Sequence, residues 1–166
     1  IILTLLACCM PTFAAAASEK LILEQYFRGV TTGRGTFTIP ISGVRRDFTL
    51  TARGTWNGRV LTLVEDFVFS DGERDRKTWR FERVAPGRYI GTREDVIGTA
   101  DVFQDGNAVR LRYRLTVPGR DGGRTELGFD DIMTVRADGT LLNEDTVSFL
   151  GLPIGSTVVE CQLGPA

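Results

Sequence analysis

Histidine is absent from the chain. Its absence removes Ser-His-Asp and Cys-His hydrolysis, imidazole acid–base chemistry and His-ligated zinc or iron. Cysteine is scarce, with 3 residues, and Cys8 and Cys9 stand close to the start. An excess of charge of one sign is missing too. The 20 Lys+Arg stand against 21 Asp+Glu, for a formal net charge of −1, which argues against a large nucleic-acid face. After the first residues, no apolar run approaches the ~20 residues that a membrane-spanning helix requires. What is present is an ordinary globular composition, 42% hydrophobic and 25% charged, in 166 residues that suit a single domain.

The first residues read as an address. Ile1 to Met10 is apolar, Pro11 breaks the run, and Ala14 to Ala17 follow. An apolar stretch, a helix breaker and an Ala-x-Ala site are the parts of a secretory signal peptide. A buried core helix would need a polar face, which this stretch lacks. The expectation is a leader over 1–17, cut after Ala17, and export to the periplasm of a Gram-negative bacterium. Leu5-Leu6-Ala7-Cys8 also loosely resembles a lipobox, so a lipid anchor on Cys8 or Cys9, with membrane association, is the alternative. Cleavage after Ala17 leaves Cys161 alone, with no internal disulfide to form, as a small core residue.

From Ser18 onward the chain reads as a short helix over 18–28 and then strands. Ser18 caps the helix, Leu21, Leu23, Tyr26 and Phe27 form its apolar side, and Gly29 stops it. The period then becomes two. Phe48, Leu50, Ala52 and Trp56 share one face; Val109, Leu111, Tyr113, Leu115 and Val117 alternate with Arg110, Arg112, Arg114 and Thr116. Such rows are half-buried antiparallel strands. Further strands are expected at about 34–40, 59–69, 74–84, 88–97, 99–104, 124–135, 139–149 and 154–162. Asn57-Gly58, Asp71-Gly72, Pro86-Gly87, Gly106-Asn107 and Asp138-Gly139 mark turns. The intervals leave no room for crossover helices, which excludes a parallel sheet. Many short strands must hide their edges, and closure does so. The expected fold is all-β: a single up-and-down antiparallel barrel of about 8–10 strands with a short N-terminal helix.

Polar residues interrupt the apolar rows. Glu65 stands between Leu63 and Phe67, Asp131 between Phe129 and Met133, Asp95 ends the Tyr89-Gly91-Arg93 row, and Asn143 lies between Leu141 and Asp145. A charge on an inward face must be paired and hydrogen-bonded, and Arg46, Arg76 and Arg93 are the candidate partners. Three readings stay open. The group could be a structural ion-pair cluster closing one barrel end, a polar anchor in a ligand cavity, or a catalytic carboxylate pair acting on lipid-derived substrates. As a binding site it comprises Trp56, Glu65, Phe67, Trp79, Tyr89, Asp95, Tyr113, Phe129, Asp131 and Asn143, taking a small apolar or fatty-acyl ligand. A free carboxylate guest would require one of the arginines. The Arg110, Arg112, Arg114 row and the Arg74-Asp75-Arg76-Lys77 run read as solvated faces. No metal or cofactor motif is present: Gly33-Arg34-Gly35 lacks the P-loop Lys, and Gly-x-Ser-x-Gly and Cys-x-x-Cys are absent. The chain is expected to be a monomer, and the residues favour binding over catalysis; an envelope assembly factor with a filled barrel and a carboxylate-dependent enzyme on lipid-derived substrates are the alternatives.

The order of several short motifs carries a resemblance: Tyr26-Phe27-Arg28-Gly29, Gly33-Arg34-Gly35-Thr36-Phe37, Gly54-Thr55-Trp56-Asn57-Gly58, Leu63-Val64-Glu65-Asp66-Phe67, Asp95-Val96-Ile97-Gly98 and Phe129-Asp130-Asp131-Ile132-Met133. With these the chain resembles the bacterial domain of unknown function 3833, from about Leu23 to Val159. The resemblance implies an envelope protein, often a lipoprotein, with a lipocalin-like (calycin) barrel. Ile132 stands where that family often has Trp, and Phe149 where it often has Lys. Produced in a Gram-negative host, the processed protein is expected to begin at Ser18 by N-terminal sequencing; retention of Ile1–Ala17 would overturn that expectation.

Overall fold

A computed structural model describes residues 19–118 and 122–164. The expected leader, Cys8, Cys9 and the expected cap Ser18 lie outside the described residues. Sequence alternation becomes ten strands: β1 (Gly29–Ile39), β2 (Val44–Trp56), β3 (Val60–Phe69), β4 (Arg74–Ala85), β5 (Arg88–Thr92), β6 (Ala100–Asp105), β7 (Ala108–Pro118), β8 (Arg124–Val135), β9 (Leu141–Phe149) and β10 (Leu152–Leu163). Each pairs antiparallel with its chain neighbours, and β1 pairs with β10, from Thr31 opposite Leu163 to Thr38 opposite Ser156. The result is a closed, lipocalin-like up-and-down barrel. Closure leaves no edge strand, so every strand sends one side-chain row inward and one outward.

One end of the barrel is plugged. Helix α1 (Leu23–Tyr26) is a single turn, shorter than the 18–28 expected, with Ile22 at its N-cap and no side-chain cap. The Phe27 amide bonds back to Leu23, and Gly29 at φ +98° turns the chain into β1. That φ suits glycine alone. Leu21 and Leu23 are each 1% exposed, and the Leu21 amide donates to the Asn107 carbonyl. Glu24 is buried here, receives the Tyr89 hydroxyl at 2.5 Å, and pairs with Arg83 at 2.9 Å. Arg83 lies 5.2 Å over the Trp56 ring. Tyr26 donates to the carbonyls of Gly139 and Cys161. The Phe27 carbonyl approaches Gly54 so closely that a Cβ there would collide with it.

The other end is open. Phe37, Phe67, Phe69, Tyr113 and Phe129 belong to inward rows yet remain only half-buried, whereas the rows near the plug (Leu61, Val102, Val109, Leu141) are fully buried. One expected strand is shorter than its pattern suggested. The 88–97 stretch pairs as a strand only to Thr92. Beyond it the Glu94 carboxylate accepts the Thr78 amide of β4 at 2.9 Å, taking the place of a strand carbonyl. The chain then turns, and Val96 meets β7 in an isolated bridge to Leu115. β1 in turn starts earlier than expected, at Gly29.

Two substitutions test the plug. Gly54→Ala is expected to destabilise by about 3 kcal/mol through overpacking, and Tyr89→Phe by about 2 kcal/mol through the lost bond to buried Glu24. Both are read as shifts in urea midpoint, and unchanged midpoints would show that the plug does not support the fold.

Candidate functional site

Inward rows from six strands meet in the middle of the barrel. Trp79 (β4) stacks on Phe81 with centroids 5.0 Å apart and meets Tyr113 (β7) edge-on at 5.3 Å. Tyr113 stacks on Phe129 (β8) at 5.1 Å. Phe67 (β3) packs against Phe48 and Phe69 towards the open end. These rings make an apolar wall. Arg93, from the loop after β5, lays its guanidinium 4.8 Å over Trp79 and 5.8 Å over Tyr113. Its side chain is 11% exposed. Two bonds to Asp95, at 2.7 and 3.3 Å, hold it there. Lys77 stands 3.6 Å from the same Asp95 and 3.1 Å from Asp75.

Beside this ion pair lies a set of acids with no cation in contact. Asp131 (β8) and Asp145 (β9) face each other directly across the ladder and are 6% and 5% exposed. Two carboxylates this close in a buried site disfavour a second charge, and burial raises both. Burial raises Asp131 well above the usual carboxylate range, and the neighbouring Asp145 charge and its hydrogen bond add to this. Burial raises Asp145 too, but the Asp131 bond, the Thr157 hydroxyl and the Asp130 amide favour its ionised form. Oδ1 of each acid has no hydrogen-bond partner. Oδ2 of Asp131 accepts long bonds from the Tyr113 hydroxyl (3.4 Å) and the Asn143 amide (3.5 Å). The Asn143 carbonyl oxygen has no partner.

Glu65 lies in the inward row of β3 and is partly buried. Burial raises its pKa to about 7; Arg93 opposes that shift, and Asp95 and Glu94 reinforce it. Burial likewise raises the Tyr113 hydroxyl, with Asp131 adding to it. Cys161, buried in the inward row of β10, is pushed up to about 12 by burial and by Glu65, so it stays a neutral thiol.

Of the ten residues read from the sequence as a site, eight converge: Glu65, Phe67, Trp79, Asp95, Tyr113, Phe129, Asp131 and Asn143. Trp56 and Tyr89 do not join them; they belong to the plug, where Arg83 and Glu24 engage them. Among the three arginines considered, Arg93 alone sits with the acids. Arg76 pairs with Asp66 on the outer wall, and Arg46 bridges Asp71 and Glu73 at the rim, 3.9 Å over Phe69. Asp145 and Lys77 were missed. The Leu141, Asn143, Asp145, Val147 alternation carried the first. The second was masked by its charged run, which is not a uniform solvated face: Lys77 turns inward, whereas Arg74 and Arg76 stay outside. The Arg110, Arg112, Arg114 row points outward as expected and pairs with Asp105, Asp130 and Glu126. A recess of about 1180 Å3 borders this wall; its lining combines Tyr113, Phe129 and Asp145 with outward Arg112, Arg114 and Thr146. It is thus a wall recess adjoining the acid pair.

The sequence profile of a protein family of unknown function, DUF3833, matches residues 2–162. The chain belongs to this family. No curated protein matches this DUF3833 chain. Among solved structures it is similar to Rv2717c from M. tuberculosis, at 15% identity and TM-score 0.59, over 84% of this chain and 94% of that one. That likeness shows a shared fold. A redesigned β-barrel, mFAP1, bound to DFHBI matches at 11% identity and TM-score 0.43, over 85% and 97% of the two chains. EF1p2_mFAP2b bound to DFHBI matches at 9% and 0.45, over 84% and 95%. Likeness at that level carries no argument about the DUF3833 chain.

The raised acids make stability depend on pH. Glu65 binds its proton more tightly folded (about 7) than unfolded (4.5). Its stabilisation is therefore full below the lower value and is lost as pH rises through the upper one; buried Asp131 acts in the same direction. Urea unfolding is expected to show Glu65→Gln retaining on the order of 2 kcal/mol that the parent chain loses across this window, with the cost reduced by water in the interior. Identical pH profiles would refute the assignment.

Proposed function

We propose that this DUF3833 chain is an exported envelope barrel that binds a small, largely apolar molecule carrying an uncharged hydrogen-bonding end. One observation carries the reading. At the accessible end of the barrel, an aromatic wall of Phe67, Trp79, Tyr113 and Phe129 surrounds the Arg93–Asp95 ion pair and buried acids that hold their protons more tightly than usual. Few, well-placed polar groups in an apolar lining orient a guest. The Asn143 carbonyl oxygen has no donor, and the Tyr113 and Asn143 bonds to Asp131 are long enough to yield to a guest.

The same electrostatics select the guest's polar end. Arg93 is committed to Asp95 through two bonds, so it offers no free guanidinium to a carboxylate. Glu65 and the Asp131–Asp145 pair would repel an anion. A fatty-acyl ester, amide or alcohol suits the interior better than a free fatty acid. Export is supported by the Ile1–Met10 run, Pro11 and Ala14–Ala17.

Displacement of the uncharged dye Nile red tests the reading. A fatty-acid methyl ester is expected to displace the dye about tenfold more strongly than the free acid at neutral pH, about 1.4 kcal/mol. Asn143→Leu is expected to weaken the ester about fivefold, about 1 kcal/mol. No dye uptake, or preference for the free acid, would sink the proposal.

A further inference from the structure

The open rim carries apolar side chains that the fold does not use. Ile41 is 92% exposed, Leu150 85%, Leu152 70% and Phe149 41%. Ile41 sits in the 3-10 turn Pro40–Ser42 between β1 and β2; the other three form the β9–β10 turn and its flanks. The two turns are neighbours, because β1 pairs with β10 up to Thr38 opposite Ser156, and Gly155 lies against the Thr38 carbonyl. In an up-and-down barrel they project from one end, here the open end, opposite the α1 plug. Leu150 adds a second observation. Its φ of +49° is the single positive value outside glycine among the described residues. A leucine held in the left-handed region is unfavourable, and Gly151 next to it shows that the turn can take glycine. The strain is kept for a side chain that touches solvent.

We infer that this rim docks on a lipid bilayer, with Ile41, Leu150 and Leu152 inserted beneath the headgroups and the barrel mouth facing the membrane. The area favours a bilayer over a protein. The tips sit on two separate turns. Their exposed apolar area is on the order of 500 Å2, short of the ~800 Å2 per partner of a stable protein complex. Charge adds a constraint. Two arginines beside Ile41 are already paired, Arg45 with Asp47 and Arg46 with Asp71 and Glu73. The described side chains next to this turn therefore carry no excess of positive charge, which fits a zwitterionic lipid surface rather than attraction to anionic headgroups. The inference concerns the outer rim and stands whether or not the interior takes a guest.

Site-specific labelling tests it. In a chain with Cys8 and Cys9 changed to Ser, Ile41→Cys carries an environment-sensitive NBD dye, and Val84→Cys, near the plug, carries the same dye in a second sample. With phosphatidylcholine vesicles, the Ile41 label is expected to brighten at least threefold and shift to the blue, and the Val84 label to change little. Leu150→Ser/Leu152→Ser in the Ile41-labelled chain is expected to weaken vesicle affinity about tenfold. Adding phosphatidylglycerol is expected to change affinity less than twofold. No response at Ile41, an equal response at Val84, binding that needs anionic lipid, or a solution dimer abolished by Leu150→Ser/Leu152→Ser would each overturn the inference. The urea midpoint of each variant is measured alongside, and these exposed positions are expected to leave it close to that of the parent, so that loss of response is not loss of fold.

Discussion

The ladder between β1 and β10 is the constraint on which the rest of this protein depends. It joins the first strand to the last and removes the freedom of any strand to turn its polar row to solvent on both sides. Once the ring is closed, each residue's parity decides whether it meets water or the interior. Apolar residues at inward parity become core at the plugged end. The acids and cations that share that parity have nowhere else to go. Arg93 and Asp95 bind each other, Lys77 leans on the pair, and Asp131 beside Asp145 disfavours a second charge. The polar interior is thus a consequence of topology acting on a few residues that break the alternation.

The balance inside is between desolvation and pairing. A buried carboxylate needs a partner with nearly ideal geometry to stay charged. Asp95 has one, and its pKa falls below the ordinary value even though burial pushes it up, because the Arg93 bonds and charge outweigh that effect. Glu65 has only the through-space attraction of Arg93, and burial prevails. Two acids in reach of the same guanidinium are therefore shifted in opposite directions. The difference lies in contact with Arg93 and in the deeper burial of Glu65.

Much of this was legible in the sequence. Strict alternation in 44–56 and 109–117, with Gly-containing turns between runs, gave an all-β meander, and the count of runs matched the ten strands. Inward parity also identified Glu65, Asp131 and Asn143. What failed were places where side chains override the backbone pattern. The 88–97 run alternates correctly, yet the strand ends at Thr92 because the Glu94 carboxylate captures the Thr78 amide and Arg93 folds back onto Asp95. Tyr89 has inward parity too, but its hydroxyl is engaged by Glu24, from a helix sixty-odd positions earlier that no local pattern links to it. Lys77 was hidden because charge runs are usually read as surface, and parity inside the run separates Lys77 from Arg76.

The β1–β10 ladder also has a mechanical side. β1 starts at Gly29 and β10 ends at Leu163 on the same edge of the barrel, where the Gly164 amide bonds the Val30 carbonyl. Antiparallel bonds lie across the strands. Tension applied to the chain before β1 and after β10 therefore peels these two strands apart one bond at a time, instead of shearing a whole row at once. The seam that makes the barrel a ring is the one expected to yield first under load, opening from the plugged end, past Gly33 and Cys161, towards the mouth.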